Sequence, residues 1–299
     1  MKRSISKNKI KNTICGYVFL MPLIIGLLVF TVYPIFQSII YSVHDFNLFE
    51  DTNKLVWFAN YKKIFTNDSE IGKTFANTAI YSIITVPLNL LLSYFLAIII
   101  NNERRITKLY RVFFYLPVVI PGVVSGVLWK AMLSYPDGVM NNIFSLLGLG
   151  KNTFFTEANT SMFAVIYMGL WGIGGGMILW LSAFKNIPNS MYEAASIDGA
   201  GTLGKVFNIT IPMSTSMIFY NLIMGIIGAL QCNSTLVYAP RAGRGYDNSV
   251  YFIGIKIYRE AFVRWQVGYA SAIAWVLFII IACLTGITFA TNKWVYYGD

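Results

Sequence analysis

Charge is absent from six long stretches of this chain. No Asp, Glu, Lys or Arg occurs in residues 12–44, 74–102, 112–129, 158–184, 206–240 or 265–292, runs of 33, 29, 18, 27, 35 and 28 positions. A helix needs roughly 20 residues to cross about 30 Å of hydrocarbon, because each residue rises about 1.5 Å. In lipid the backbone must satisfy its own hydrogen bonds, which predicts helices. The short alternating segments of a membrane β-barrel are absent. The pattern predicts an all-α polytopic membrane protein forming one domain over residues 1–299. Its spans fall at about 15–42, 75–100, 111–132, 160–184, 212–233 and 267–290, with a structured loop at 185–211. Ile143–Gly150 is apolar but too short to cross, and reads as an interfacial or re-entrant piece.

Composition removes the soluble alternatives. Hydrophobic residues make up 56% of the 299 residues and charged residues 12%, against about 25% charged in a soluble domain. Mean hydropathy is +0.59. The first apolar run exceeds the roughly 7–15 residues of a signal-peptide core and lacks a small-residue cleavage site, so it is expected to remain as a span. Cys15, Cys232 and Cys283 sit in or beside different spans and suggest neither a disulfide framework nor a metal site.

Orientation follows from where the bases cluster. Lys2, Arg3, Lys7, Lys9 and Lys11 precede span one, and Arg104, Arg105, Lys108 and Arg111 crowd the loop after span two. Total counts do not decide: with the N-terminus inside, 12 of 23 bases fall on that side. The first and shortest segments weigh most, and place both termini in the cytoplasm. The net charge of +10 reads as topology signals and contacts with anionic lipid, not as a nucleic-acid surface. Trp57, Trp129, Trp265, Trp294, Tyr296 and Tyr297 fall near span ends, as interfacial aromatics do.

The loop between spans four and five carries the most information. Ser190-x-x-Glu193 matches a capping box, Tyr192–Asp198 suits a short helix, and Gly199 is placed to end it in a left-handed conformation. A second helical piece can begin at Thr202 and carry Val206, Phe207 and Ile209 into span five, with Pro212 at the membrane entry. Gly199-Ala-Gly201-Thr-Leu-Gly204-Lys205 imitates a nucleotide-binding loop. Val206 stands where a Ser or Thr would ligate Mg²⁺, no strand precedes the glycines, and no acid follows at the ribose-binding distance. Nucleotide binding is therefore rejected, and no energy source of the chain's own is visible.

Glu193-Ala194-Ala195, then Gly199, then Ile209-Thr-Ile-Pro212 resembles the EAA signature of inner-membrane permease subunits of binding-protein-dependent ABC importers. Ile187-Pro188 and Asp198-Gly199-Ala200 match too. Tyr115-Leu-Pro117 with Pro121, Gly138-Val-Met-Asn141-Asn142, Tyr258-Arg-Glu-Ala-Phe262 and Gly268-Tyr-Ala-Ser-Ala272 extend the resemblance to the maltose, multiple-sugar and glycerol-3-phosphate branch. The chain departs after span five, where the family's T-x-G-G-P is replaced by Leu236-Val-Tyr-Ala-Pro240-Arg-Ala-Gly243.

The resemblance implies half of a translocation pathway for a sugar or oligosaccharide, in a bacterial cytoplasmic membrane. It implies a second homologous permease, a cytoplasmic ATPase dimer and an extracytoplasmic substrate-binding protein as partners, and no cofactor. Glu193, Ala194, Ala195, Asp198 and Gly199 would form the ATPase-coupling helix, with hydrolysis in the separate subunits. Trp171, Gly172 and Gln231 stand on the two helices that carry sugar contacts in that family; an aromatic face with an amide suits a sugar and equally suits packing. Gly122-x3-Gly126 and Gly172-x3-Gly176 have the spacing of close helix packing. Asn77, Asn89 and Asn221 read as interhelical hydrogen bonds, and His44 as structural. A non-sugar solute remains an alternative substrate. A stand-alone secondary transporter would be expected to show charged relays within its spans, and a membrane enzyme clustered catalytic groups. The sequence suggests neither, so no catalytic or metal site is proposed.

Overall fold

A computed structural model describes residues 7–47, 49–101, 105–232 and 239–296. Lys2, Arg3, Arg104, residues 236–238 and Tyr297 lie outside the described residues, as do the side chains of residues 7–14 and Arg105. The chain divides into two compact units, one of residues up to Asn67 with Arg259–Trp275, the other of Asp68–Tyr258 with the residues from Val276 onward.

In the first unit, α1 (Lys7–Leu27) passes through a π-helical turn at Leu28–Val32 into α2 (Tyr33–Ser42). Pro34, which has no N–H to donate, lies at the start of α2. The all-α architecture carries one small addition here, a two-stranded antiparallel hairpin. β1 (His44–Asn47) pairs with β2 (Thr52–Leu55), with His44 opposite Leu55 and Asn47 opposite Thr52. The hairpin is polar and four residues long on each side, so no apolar alternation marks it in the sequence. Asn60, on α3 (Ala59–Thr66), donates to the carbonyls of Ser42 and His44 at 3.0 and 2.9 Å and seats the hairpin on α2.

The second unit is organised around α4 (Ile71–Ile100). Its polar positions Thr74, Asn77, Thr78, Ser82 and Ser93 are buried, while Ile83, Leu91, Phe95 and Ile99 are exposed. A span solvated by lipid has that inverted distribution, because hydrocarbon covers the apolar face and the polar groups bond inside the bundle. The stretch expected as span three is two helices, α5 (Arg105–Val119) and α6 (Gly122–Met132), bent by 99°. Pro121 between them cannot donate a helical bond, and it pushes Ile120 out of the helical region. The helix restarts when Ser125 donates to the Pro121 carbonyl at 3.0 Å.

After α7 (Val139–Leu146), α8 (Ala158–Gly169) and α9 (Ile173–Lys185) form one span through a 3₁₀ turn at Leu170–Gly172. Span five is bent as well. α10 (Asn189–Ile197) and α11 (Thr202–Lys205) precede a π-helical turn at Val206–Thr210 and α12 (Ile211–Met213), and the axis then turns by 66° at Ser214 into α13 (Thr215–Leu230). A π-turn next to Pro212 is a recognised cause of such a kink. α14 (Ile253–Phe262) and α15 (Val267–Ala290) complete the helices. Among the described residues four continuous helical stretches are long and apolar enough to cross a membrane, and six if each bent pair counts as one.

Glycine allows α9 to approach α4 and α5 closely, at one expected position and one that was not expected. A Cβ on Gly174 would overlap the Phe114 carbonyl of α5, and one on Gly176 would lie 2.9 Å from the Ser93 hydroxyl of α4. Gly122 and Gly172 face open space, so of the expected Gly-x3-Gly positions Gly176 makes the contact, joined by Gly174, which was not expected. Trp129, expected at an interface, is buried at 4% exposure, edge-on to Tyr167 and Trp171.

Candidate functional site

Two places in the second unit bring together residues with chemical meaning. One is the loop 185–211 and the other a pair of cavities along the middle of α4.

In the loop, α10 ends in a complete Schellman motif. The Ala200 N–H donates to the Ala195 carbonyl at 2.8 Å and the Gly199 N–H to the Ser196 carbonyl at 3.2 Å, with Gly199 at φ +79°. The expected left-handed glycine is therefore present. The expected capping box is not. The helix starts one residue earlier, at Asn189 after Pro188, so Ser190 lies inside its first turn and no side chain caps it. Glu193 is left exposed on the outer face with Ala194, Asp198 and Gly199, while Ala195 is partly buried.

The inner face of α10 is anchored. Tyr192 and Ala195 pack against a core of Ala97, Ile100, Met177, Trp180, Phe184, Ile187 and Ile209. The Tyr192 hydroxyl bonds Thr210 at 3.0 Å, and Lys205 donates to the Ser196 hydroxyl at 2.6 Å. Tyr94 of α4 bonds Ser214 at 2.9 Å, at the bend into α13, and lies edge-on to Trp180 and Phe184. The loop thus joins the ends of α4, α9 and α13 into one packed block. Its outer face carries Ile197 at 87%, Leu203 at 73% and Phe207 at 64% exposure. Sequence reasoning missed Ile197 and Leu203 and directed Phe207 into the span. The missed signal was apolar residues that lie opposite the packed Tyr192–Ala195 face.

The first cavity, of about 460 Å³, lies against α4 and α13 and is lined by Tyr81, Thr85, Asn89, Ser93, Asn221 and Gln231, together with glycines including Gly176 and Gly225. Its lining carries hydroxyls and amides and no ionisable acid or base of the Asp, Glu, Lys or Arg type. The second, of about 220 Å³, is lined by Trp129, Trp171, Gly172, Pro117 and Ser125, and shares Tyr81 and Gly169 with the first. The three pathway candidates therefore separate, Gln231 to the amide cavity and Trp171 and Gly172 to the aromatic one. Of the asparagines, Asn77 donates to the Asn248 carbonyl at 2.7 Å and Asn89 to the Gly169 carbonyl at 3.5 Å. Asn221 corrects the interhelical expectation: it donates to Met217 of its own helix at 3.0 Å and lines the cavity.

Comparison with known proteins gives this arrangement its context. Residues 89–295 match the family described as "Binding-protein-dependent transport system inner membrane component". The chain is 35% identical over 300 residues to the probable ABC transporter permease protein YesP of Bacillus subtilis, covering 99% of this chain and 96% of that one. It is 29% identical to the diacetylchitobiose uptake system permease protein NgcF of Streptomyces coelicolor, over 91% of this chain and 80% of that one. It is 28% identical to the sn-glycerol-3-phosphate transport system permease protein UgpA of Pectobacterium atrosepticum, over 91% and 92%. A chain of a bacterial alginate ABC transporter, solved with an alginate pentasaccharide-bound periplasmic protein, has the same fold, with a TM-score of 0.84, 21% identity and 96% of both chains covered. The chain belongs to the binding-protein-dependent inner-membrane transport family, and is a multi-pass permease component of an ABC importer.

Proposed function

We propose that this permease passes a sugar or oligosaccharide, and that it works with a second homologous permease, a cytoplasmic ATPase dimer and an extracytoplasmic substrate-binding protein. The observation that carries the substrate class is the lining of the amide-bearing cavity. Asn89, Asn221 and Gln231 each offer an amide that both donates and accepts, beside the hydroxyls of Tyr81, Thr85 and Ser93. Such a lining matches the mixed donors and acceptors of a polyhydroxylated solute, and the flat glycine surfaces leave room for a ring. The relative named for diacetylchitobiose uptake supports the same class.

The proposed roles in the loop follow from its geometry. Glu193, Ala194, Asp198 and Gly199, with Ile197 and Leu203, form the outward face that the ATPase would grip, and Ala195 ties that face to the core. Pressure on α10 would pass through Tyr192–Thr210 and Tyr94–Ser214 to α13 and α4, so that those helices move as rigid bodies. The basic segments before span one and before span three support a cytoplasmic position for both termini.

Cys232 lines the amide-bearing cavity, whereas Cys15 and Cys283 are exposed on the apolar surface. In a Cys15→Ser, Cys283→Ser background, a small methanethiosulfonate should inactivate uptake in membrane vesicles through Cys232. The transported oligosaccharide should slow that inactivation. Protection by a non-sugar solute, with none from any oligosaccharide tried, would replace the substrate class. Absence of any inactivation would remove this cavity from the pathway.

A further inference from the structure

The end of α4 remote from the loop 185–211 holds an ion cluster that the transport account leaves unused. Lys256 of α14 is fully buried and donates to Asp68 at 2.8 Å and to Glu70 at 3.4 Å. Glu70 also pairs with Arg244, whose Nε donates to the Asn248 side chain at 2.9 Å and whose guanidinium lies over the Tyr251 ring at 4.8 Å. The same turns of α4 bind the backbone of this segment. Asn77 donates to the carbonyls of Asn248 and Tyr251, Thr78 accepts from the Ile253 N–H at 3.0 Å, and Lys73 pairs with Asp247 at 2.7 Å.

Two further observations bear on how firmly residues 244–256 are held. Val250, Tyr251, Phe252, Ile253 and Ile255 are all at most 1% exposed. Asp247 and Asn248 adopt left-handed backbone angles of +50° and +53° without being glycine, as Arg241 and Ala242 do at +55° and +53°. Strain of that kind persists only where surrounding contacts over-determine the conformation. The segment also sits directly over the cavities: Phe252 packs on Tyr81 with ring centroids 5.2 Å apart, and Tyr81 lines both.

We propose that residues 244–256 are a plug fixed to the first turns of α4 by the Lys256 ion cluster, and that plug and helix move as one body in every stage of transport. The cavity then opens at this end by α4 carrying its plug away from whatever faces it, not by the plug lifting off α4. Separating the two would leave the buried Lys256 ammonium without its two carboxylates, and removing one partner of a buried pair is strongly destabilising. The inference rests on the transport reading but not on the identity of the solute.

The test locks the two parts together. Lys73 and Asp247 are exposed, and an exposed pair contributes little, so Lys73→Cys with Asp247→Cys, in a chain otherwise free of cysteine, should transport as fast as its cysteine-free parent, and the unbridged double variant is the reference. Bridging the two thiols with a short bis-methanethiosulfonate should leave at least half of the uptake rate. Loss of more than nine-tenths of uptake on bridging, restored by dithiothreitol, would overturn the proposal, as would failure of the two thiols to bridge at all. Hydrogen exchange on the unmodified complex gives an independent readout. The amides of 250–256 should keep the same protection in the resting and the nucleotide-trapped states, and a tenfold or greater loss in either would overturn the proposal even if the double variant failed to assemble.

Discussion

Glu193 has the simplest environment in the loop, an exposed carboxylate on a short helix, with no side-chain cap at that helix's N-terminus. Because it caps nothing, Glu193→Lys should leave thermal stability within about 0.5 kcal/mol of wild type, the usual range for a surface change. ATP hydrolysis by the assembled transporter should nonetheless fall steeply, since losing a charged contact at an interface costs roughly 2–5 kcal/mol in affinity. Normal ATPase retention on detergent purification would remove Glu193 from the interface. Gly199 differs because its role is conformational. A Cβ there meets open space, but φ is +79°, so Gly199→Val should cost about 1–2 kcal/mol locally and unravel the end of α10. Normal insertion with lost uptake is expected in vesicles; unchanged uptake would show that the turn does not matter. The glycine was legible in the sequence because a Glu-Ala-Ala helix followed by Gly is itself a local signal. The capping box was misread because Pro188 starts the helix a residue before Ser190, and two overlapping start signals cannot be ranked from local pattern alone.

At the scale of elements, charge-free stretches mark where helices can cross, but not how they bend or which faces meet. The 99° break at Pro121 and the 66° bend at Ser214 fall beside prolines that were visible in the sequence. Each bent pair taken together is long and apolar enough to cross, so each stretch reads as a single span. Packing was legible in part: the expected Gly176 meets α4, while the approach to α5 falls at Gly174 and not at Gly172. Gly174→Leu should therefore separate α9 from α5 and abolish stable insertion, whereas Gly172→Ala should be tolerated. Fluorescence-detected size exclusion of the two variants checks this, and equal behaviour would refute the contact. The polar hairpin was missed because four-residue strands without apolar alternation carry no periodic signal. The tie between Tyr94 and Ser214 was also invisible, since it links positions 120 residues apart. Tyr94→Phe should keep the ring contacts and lose only the hydroxyl bond. Transport should slow while ATP hydrolysis continues, and a proportional loss of both would argue against a role in transmission.

For the whole molecule, the placement of the loop at one end of α4 and the ion-held plug at the other gives the transporter a direction. If the basic segments set topology as proposed, a cysteine at Asn189 should be shielded from an impermeant thiol reagent in intact cells, and one at Asn53 should label. The opposite pattern would invert the orientation. Family membership was legible because Glu193-Ala-Ala and Gly199 survive as a local motif, while the cavities were not, because Asn89, Asn221 and Gln231 converge only after α4 and α13 pack. The central claim is that the outer face of loop 185–211 holds a separate ATPase. Native mass spectrometry of the complex extracted with wild-type chain, and with Ile197→Asp and Leu203→Asp together, tests it most directly. Both side chains are among the most exposed apolar groups of the loop, so the changes should not disturb the fold. The wild-type assembly should carry this chain, a second permease and two ATPase copies, and the variant assembly should keep the second permease but lose the ATPase bound to this chain. A variant that retains both copies, or a wild-type chain that transports with no ATPase attached, would contradict the account.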